Sequence, residues 1–250
     1  MSMIQTEYHE EVVLIKLAHG ITNALNLELI NELSESLQKA IQDNVRGLVL
    51  TSSNEKFFSI GHDLRNLYEL SKEDFTLFYE AFNQFCIDLF TSPIPTVAAI
   101  TGHAIAGGCA LTLCCDYRFI AEGRKLMGFN VVRLGIPVPY TVMCILQNIV
   151  GYRTARDIAD SGEFYPSKNL LRMGMVDCVL PLEEVVPKAI EKAQLLGRLP
   201  QNAFAITKRD RTESIKAQIL ARLKEKEELF IECWYSEEGR RLLGEAMERL

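Results

Sequence analysis

The sequence predicts an α/β protein: a core in which short strands alternate with helices, then a helical C-terminal region. Three observations carry this. Apolar runs of strand length alternate with segments of helical periodicity through the first half of the chain. Beyond Pro139 the pattern is mostly helical and ends in long charged segments. The length, 250 residues with 48% hydrophobic, suits one sizeable core. The organisation that follows is a core over residues 1–195 and a helical region over residues 196–250.

Val12–Leu17 (VVLIKL) reads as a strand. Asn26 is placed to cap a helix running to about Asp43, with Ile30, Leu33, Leu37 and Ile41 on one face. Gly47–Thr51 (GLVLT) is a short buried strand. Phe75, Phe78, Phe82, Phe85 and Leu89 recur at helical spacing from Asp74 to Phe90 and predict a core-packing aromatic helix. Pro95 then opens a strand, Thr96–Ile100. Gly107-Gly108 opens a helix that reaches Cys114, and Asp116–Ala121 is a further strand. A strand is expected near Val176–Leu180, with helices over Leu182–Leu199 and Ser214–Tyr235.

Composition bounds the function. The net charge is -6, which argues against nucleic acid or an anionic membrane as the main partner. Ser92–Cys115 holds no Asp, Glu, Lys or Arg, but Pro93, Pro95 and the glycines break it, so strand, turn and buried helix are expected rather than a membrane span. Seven cysteines behind a polar, acidic N-terminal stretch, unlike a signal peptide, predict a reducing cytoplasm with free thiols. There is no CxxC pair and the four histidines are scattered, so no metal is expected. No G-x-S-x-G elbow is present, which sets a hydrolase aside.

Chemistry concentrates in two glycine segments. His103–Asp116 reads HAIAGGCALTLCCD, and Phe57–Leu64 reads FFSIGHDL. A helix N-terminus presents unpaired N–H groups, and small residues let a ligand oxygen approach them. Gly107 N–H is therefore a candidate donor. Close helix–strand packing also needs glycine, and spacing alone leaves both readings open.

Taken together, FFSIGHDL and SPIPTVAAITGHAIAGGCALTLCCDYRFI resemble the crotonase superfamily, the enoyl-CoA hydratase/isomerase family. The resemblance runs from Thr22–Asn26 (TNALN) to Met173–Pro181, and more loosely to the C-terminus. It implies a core of repeated ββα turns in a spiral, with a C-terminal helical region that drives trimer formation. It implies a homotrimer or a dimer of trimers. It also implies an acyl-CoA thioester as substrate, with coenzyme A entering as part of that substrate and no other cofactor.

The matching oxyanion donors are His62 N–H and Gly107 N–H. Ala24, Leu25, Ile60, Gly61, Asp63 and Leu64 match positions that line the coenzyme A pocket, and Gly108 and Val131 fall in matching site segments. Arg65, Lys208 and Arg209 are the basic residues placed to meet its phosphates, or are simply solvated.

The family's two glutamates are missing: Ala110 and Val131 stand in their places. Neither can move a proton, which removes help worth about 10²–10⁴ per group. Standard hydration is therefore not expected. The segments resemble the isomerase branch most, and isomerisation of an enoyl-CoA double bond in fatty acid metabolism is the leading expectation. Decarboxylation of a malonyl-type thioester needs no base, and GHD with Tyr140 is similar to that branch. A non-catalytic acyl-CoA-binding protein is the third reading. For residual polar chemistry the candidates are the His62 side chain, His103 and Tyr140, each of which also has a packing explanation.

Overall fold

The computed structural model describes residues 2–248. In chain order the elements are β1 (Ile4–His9), β2 (Val12–Leu17), α1 (Leu27–Gln42), β3 (Gly47–Ser52), β4 (Phe57–Ser59), α2 (Leu64–Leu67), α3 (Lys72–Phe90), β5 (Thr96–Ile100), β6 (His103–Ile105), α4 (Gly107–Leu113), β7 (Tyr117–Ala121) and β8 (Leu126–Gly128). A 3-10 turn, Val131–Leu134, leads to α5 (Tyr140–Ser161), β9 (Phe164–Pro166), α6 (Ser167–Met173), β10 (Cys178–Leu180), α7 (Leu182–Gly197), α8 (Gln201–Tyr235) and α9 (Glu237–Met247).

Two sheets organise them. The larger runs β1-β2-β3-β5-β7-β10, and the smaller β4-β6-β8-β9. Successive strand pairs split between the sheets: β3 then β4, β5 then β6, β7 then β8. All ladders are parallel except β1 on β2 and β9 on β8. This is the ββα spiral of the α/β class expected from the sequence. The uncharged stretch is folded into β5, β6 and α4, and no helix among the described residues is long and apolar enough to cross a membrane.

The strands alternate faces, as the pleat dictates. Val12, Leu14, Val49, Val97 and Ala99 point to one side of the larger sheet, where Val185, Ala189 and Ala193 of α7 cover them. Val13, Ile15, Leu48, Leu50, Ala98 and Ile100 point into the main core. There α3 meets α8 through stacked aromatics. Phe75 lies 4.3 Å from Trp234 and Tyr79 lies 4.1 Å from Phe230, centroid to centroid. Such pairs add about 0.5–1.5 kcal/mol each beyond the area they bury.

The Asn26 cap agrees with the sequence reading: its side chain accepts from Leu29 N–H and starts α1. Ser71, which the sequence reading did not pick out, accepts from Asp74 N–H and starts α3. Three features differ. Strand β1 is an exposed edge with only Ile4 buried, so it carries no apolar pattern. Helix α8 begins at Gln201 rather than Ser214. The boundary drawn at residue 195 falls inside α7.

Helix α8 is pinned to the sheet by a buried ion cluster. Lys208 Nζ lies 2.7 Å from Asp116 Oδ2 and donates to Ile94 O at 3.1 Å. Arg211 pairs with the other oxygen of Asp116, and Thr96 N–H donates to Oδ2 at 2.9 Å. The Lys208 side chain is only 1% exposed. It is a structural tie, not a contact for coenzyme A phosphates, and this corrects the sequence expectation. Burial lowers its pKa while Asp116 holds it up.

Candidate active site

The site is built where the small sheet feeds α4. Strand β4 ends at Ser59, and Gly61 follows with φ +90, which a side chain would strain. Leu25 N–H donates to Gly61 O at 2.8 Å and Asp63 N–H donates to Leu25 O at 2.9 Å. In that parallel bridge of Leu25 with His62, the His62 N–H points away from Leu25. Gly107 is the first residue of α4, so its N–H has no acceptor within the helix.

The two donors are neighbours. A Cβ built on Gly107 would meet His62 Cδ2 and Leu25 Cδ1 at 3.0 Å, and one on Gly61 would meet Gly107 N at 2.7 Å. Gly108 is as tight, because a Cβ there would lie 2.3 Å from Ser59 O. The glycines thus serve close packing and donor exposure together.

Ala106 aims the second donor. Its φ of 47 and ψ of -111 are sparsely populated for alanine and cost on the order of 1–3 kcal/mol. Its own N–H is anchored to Gly128 O at 2.9 Å. Ala106→Gly is expected to raise stability by about 1 kcal/mol, relief of strain exceeding the added freedom of the unfolded chain. A urea midpoint equal to or below that of the parent would contradict the strain reading.

Beside the donors lies a cavity of about 400 Å³. Ile60, Leu64, Ile105, Val131 and Ile136 are among its apolar lining, and Phe164 and Ala246 reach it from β9 and α9. His62 and Asn130 are the only lining residues with polar side chains, and no carboxylate among the described residues lines it. The His62 ring stands edge-on to Phe78 and Phe82, with centroids 5.0 and 4.8 Å away. Its Nε2 is buried with no hydrogen-bond partner among the described residues. Burial brings the imidazole down to about 4, so it is neutral at neutral pH.

The other sequence candidates divide. Val131 is 8% exposed and forms cavity wall. Ala110 is 1% exposed inside α4 and does not line the cavity, so a glutamate there would be buried charge. Ala24 and Leu25 are buried behind the first donor. Asp63 caps α2, accepting from Asn66 N–H at 3.3 Å.

His103 and Tyr140 are not brought to the cavity. His103 Nδ1 accepts from Leu126 N–H at 3.0 Å and so ties β6 to β8. Burial first, then Lys125, Arg124 and Lys56, lower its pKa, consistent with a neutral acceptor. Tyr140 starts α5 and points its hydroxyl toward Gln218 O on α8 at 3.5 Å. Arg65 and Arg209 are exposed, and Arg209 pairs with Asp210. Glu163 pairs with Arg133 at the surface.

Helix α9 was missed as part of the site. Ala246 lines the cavity, Arg240 stacks on Tyr68 at 3.3 Å, and Arg240 donates to Tyr68 O at 2.7 Å. Only the amphipathic EEGRRLL segment hinted at a docked helix.

The chain is similar to several known proteins. The family model described as Enoyl-CoA hydratase/isomerase matches residues 7–248. Enoyl-CoA delta isomerase 1, mitochondrial, of Mus musculus is 33% identical over 208 residues, covering 82% of this chain and 72% of that protein. Crotonyl-CoA hydratase of Syntrophomonas wolfei is 31% identical over 208 residues, covering 78% and 79% respectively. The crystal structure of human mitochondrial delta3-delta2-enoyl-CoA isomerase superposes with a TM-score of 0.95 at 28% identity, covering 99% of this chain and 98% of that one.

Proposed function

The chain belongs to the enoyl-CoA hydratase/isomerase family, and from that premise we propose that it is an acyl-CoA enzyme of fatty acid metabolism that shifts the double bond of an enoyl-CoA. The observation that carries this is the pair of adjacent backbone donors, His62 and Gly107, beside an apolar cavity. A thioester oxygen held between the two N–H groups gains most as it becomes an enolate, since fixed dipoles favour the charge that develops. Loss of one such donor typically costs about 10²–10³ in rate. The apolar cavity takes the acyl chain and keeps water from the enolate.

A second reading, decarboxylation of a malonyl-type thioester, is favoured by one observation: no carboxylate among the described residues lines the cavity. Loss of CO₂ yields the same enolate without a base. The assay is incubation with a 3-enoyl-CoA and, separately, with methylmalonyl-CoA. Formation of the 2-enoyl-CoA is expected. Turnover of methylmalonyl-CoA alone would replace the first reading by the second, and binding without turnover of either would leave an acyl-CoA-binding protein.

The homotrimer or dimer of trimers implied by the family is part of the proposal, with sedimentation as its test. Cytoplasmic residence rests on the seven free thiols and is tested by fractionation.

A further inference from the structure

Among the residues that line the cavity, His62 alone has a side chain able to exchange a proton within the pH range of life. Val131 occupies the wall where the family's acid–base glutamate is expected. The isomerisation proposed above still requires a proton to leave C2 and one to arrive at C4.

The ring is held for such a role. Phe78 and Phe82 stand edge-on to it, and Gly107 lies against its Cδ2 edge. Nε2 is buried without a polar partner. With Nε2 sealed away, Nδ1 is the nitrogen left to meet a substrate, and a base at this position carries its proton on Nε2 and its lone pair on Nδ1. The backbone N–H of the same residue holds the thioester oxygen. Base and oxyanion donor therefore belong to one and the same residue and are fixed together.

We propose that the His62 imidazole is the base that carries the proton between C2 and C4 of the bound enoyl-CoA, in place of the missing glutamate. The step rests on the isomerase reading and balances without a co-reactant. The C2–H bond breaks and its proton goes to Nδ1. Its electron pair forms C1=C2 as the carbonyl pair moves to oxygen. The enolate then collapses, C2=C3 forms, and the former C3=C4 pair takes the same proton at C4. Burial makes the imidazole about as basic as an ordinary carboxylate, so it matches the group it replaces.

The test exploits the double use of one residue. His62→Leu and His62→Gln keep the backbone donor and delete the base. Exchange of the C2 protons of hexanoyl-CoA in deuterated water reports proton removal alone, and calorimetry with hexanoyl-CoA reports binding. The parent is expected to exchange, and both variants are expected to bind as the parent does while exchange and 3-enoyl-CoA turnover fall by about 10²–10⁴. Exchange at the parental rate in either variant overturns the proposal, as does absence of exchange in the parent. Loss of hexanoyl-CoA binding in both variants also overturns it, because the ring then only shapes the pocket. A parent that exchanges C2 protons yet leaves 3-enoyl-CoA unconverted retires the isomerase reading and leaves the base standing.

Discussion

Val131→Glu is expected to raise 3-enoyl-CoA turnover by about 10²-fold, the lower end of what a positioned acid–base group supplies. Val131 forms the wall of the cavity at the start of the 3-10 turn, so a carboxyl there meets the acyl chain directly. The gain is held to the lower end by desolvation. An apolar cavity favours the neutral acid and raises its pKa. Only the ionised form is a base, so the gain should grow as pH rises through that raised value. Initial rates of parent and variant from about pH 6 to 9 check this. The same burial destabilises the fold by about 1–3 kcal/mol, visible in the urea midpoint. A folded variant with no gain at the alkaline end would show that the acyl chain does not pass this wall.

The largest stability effect is expected at Asp116. Its carboxylate receives Lys208, Arg211 and the Thr96 N–H at the junction of β5, β7 and α8. Asp116→Ala leaves the Lys208 ammonium buried with Ile94 O as its remaining partner. Removing one member of a buried pair costs about 3–5 kcal/mol, a large share of the about 5–15 kcal/mol of a typical domain. The pH dependence has a definite sign. Without Asp116 the folded-state pKa of Lys208 falls further below its unfolded value. The penalty is then fully present at low pH and relieved as pH rises toward that of free lysine. Urea midpoints of the variant at about pH 7 and 10 should therefore converge toward the parent at the higher pH. A loss of only a few tenths of a kcal/mol at neutral pH would mean that Lys208 escapes to water.

How much of this was legible in the sequence follows the range of the interactions involved. Both glycine segments could be picked out because their signal is local: a glycine or a glycine pair just ahead of a helix. Strands β2, β3, β5 and β7 were legible as apolar runs, and α1 and α3 as periodic ones. Strands β4, β6, β8 and β9 are three residues each, too short to show a period, and are held by ladders to distant strands.

Beyond Ile60, Leu64 and Val131, the cavity wall was not legible for another reason. Leu134, Ile136, Phe164 and Ala246 are apolar residues like any in the core, and only tertiary folding selects them. Lys208 looked like surface because its partner lies 92 residues away. Ala106 gives no hint of positive φ, since alanine rarely adopts it.

The docking of α9 has a consequence for synthesis. The cavity beside His62 is closed by residues as far apart in the chain as Phe57 and Ala246. A nascent chain emerging from a ribosome can fold its sheets and bring His62 and Gly107 together well before the cavity has its last wall. Until Ala246 emerges, the pocket stays open on the α9 side and its apolar lining faces water, a surface that invites chaperones or aggregation. The cavity is completed late and in one step, when α9 settles on Tyr68.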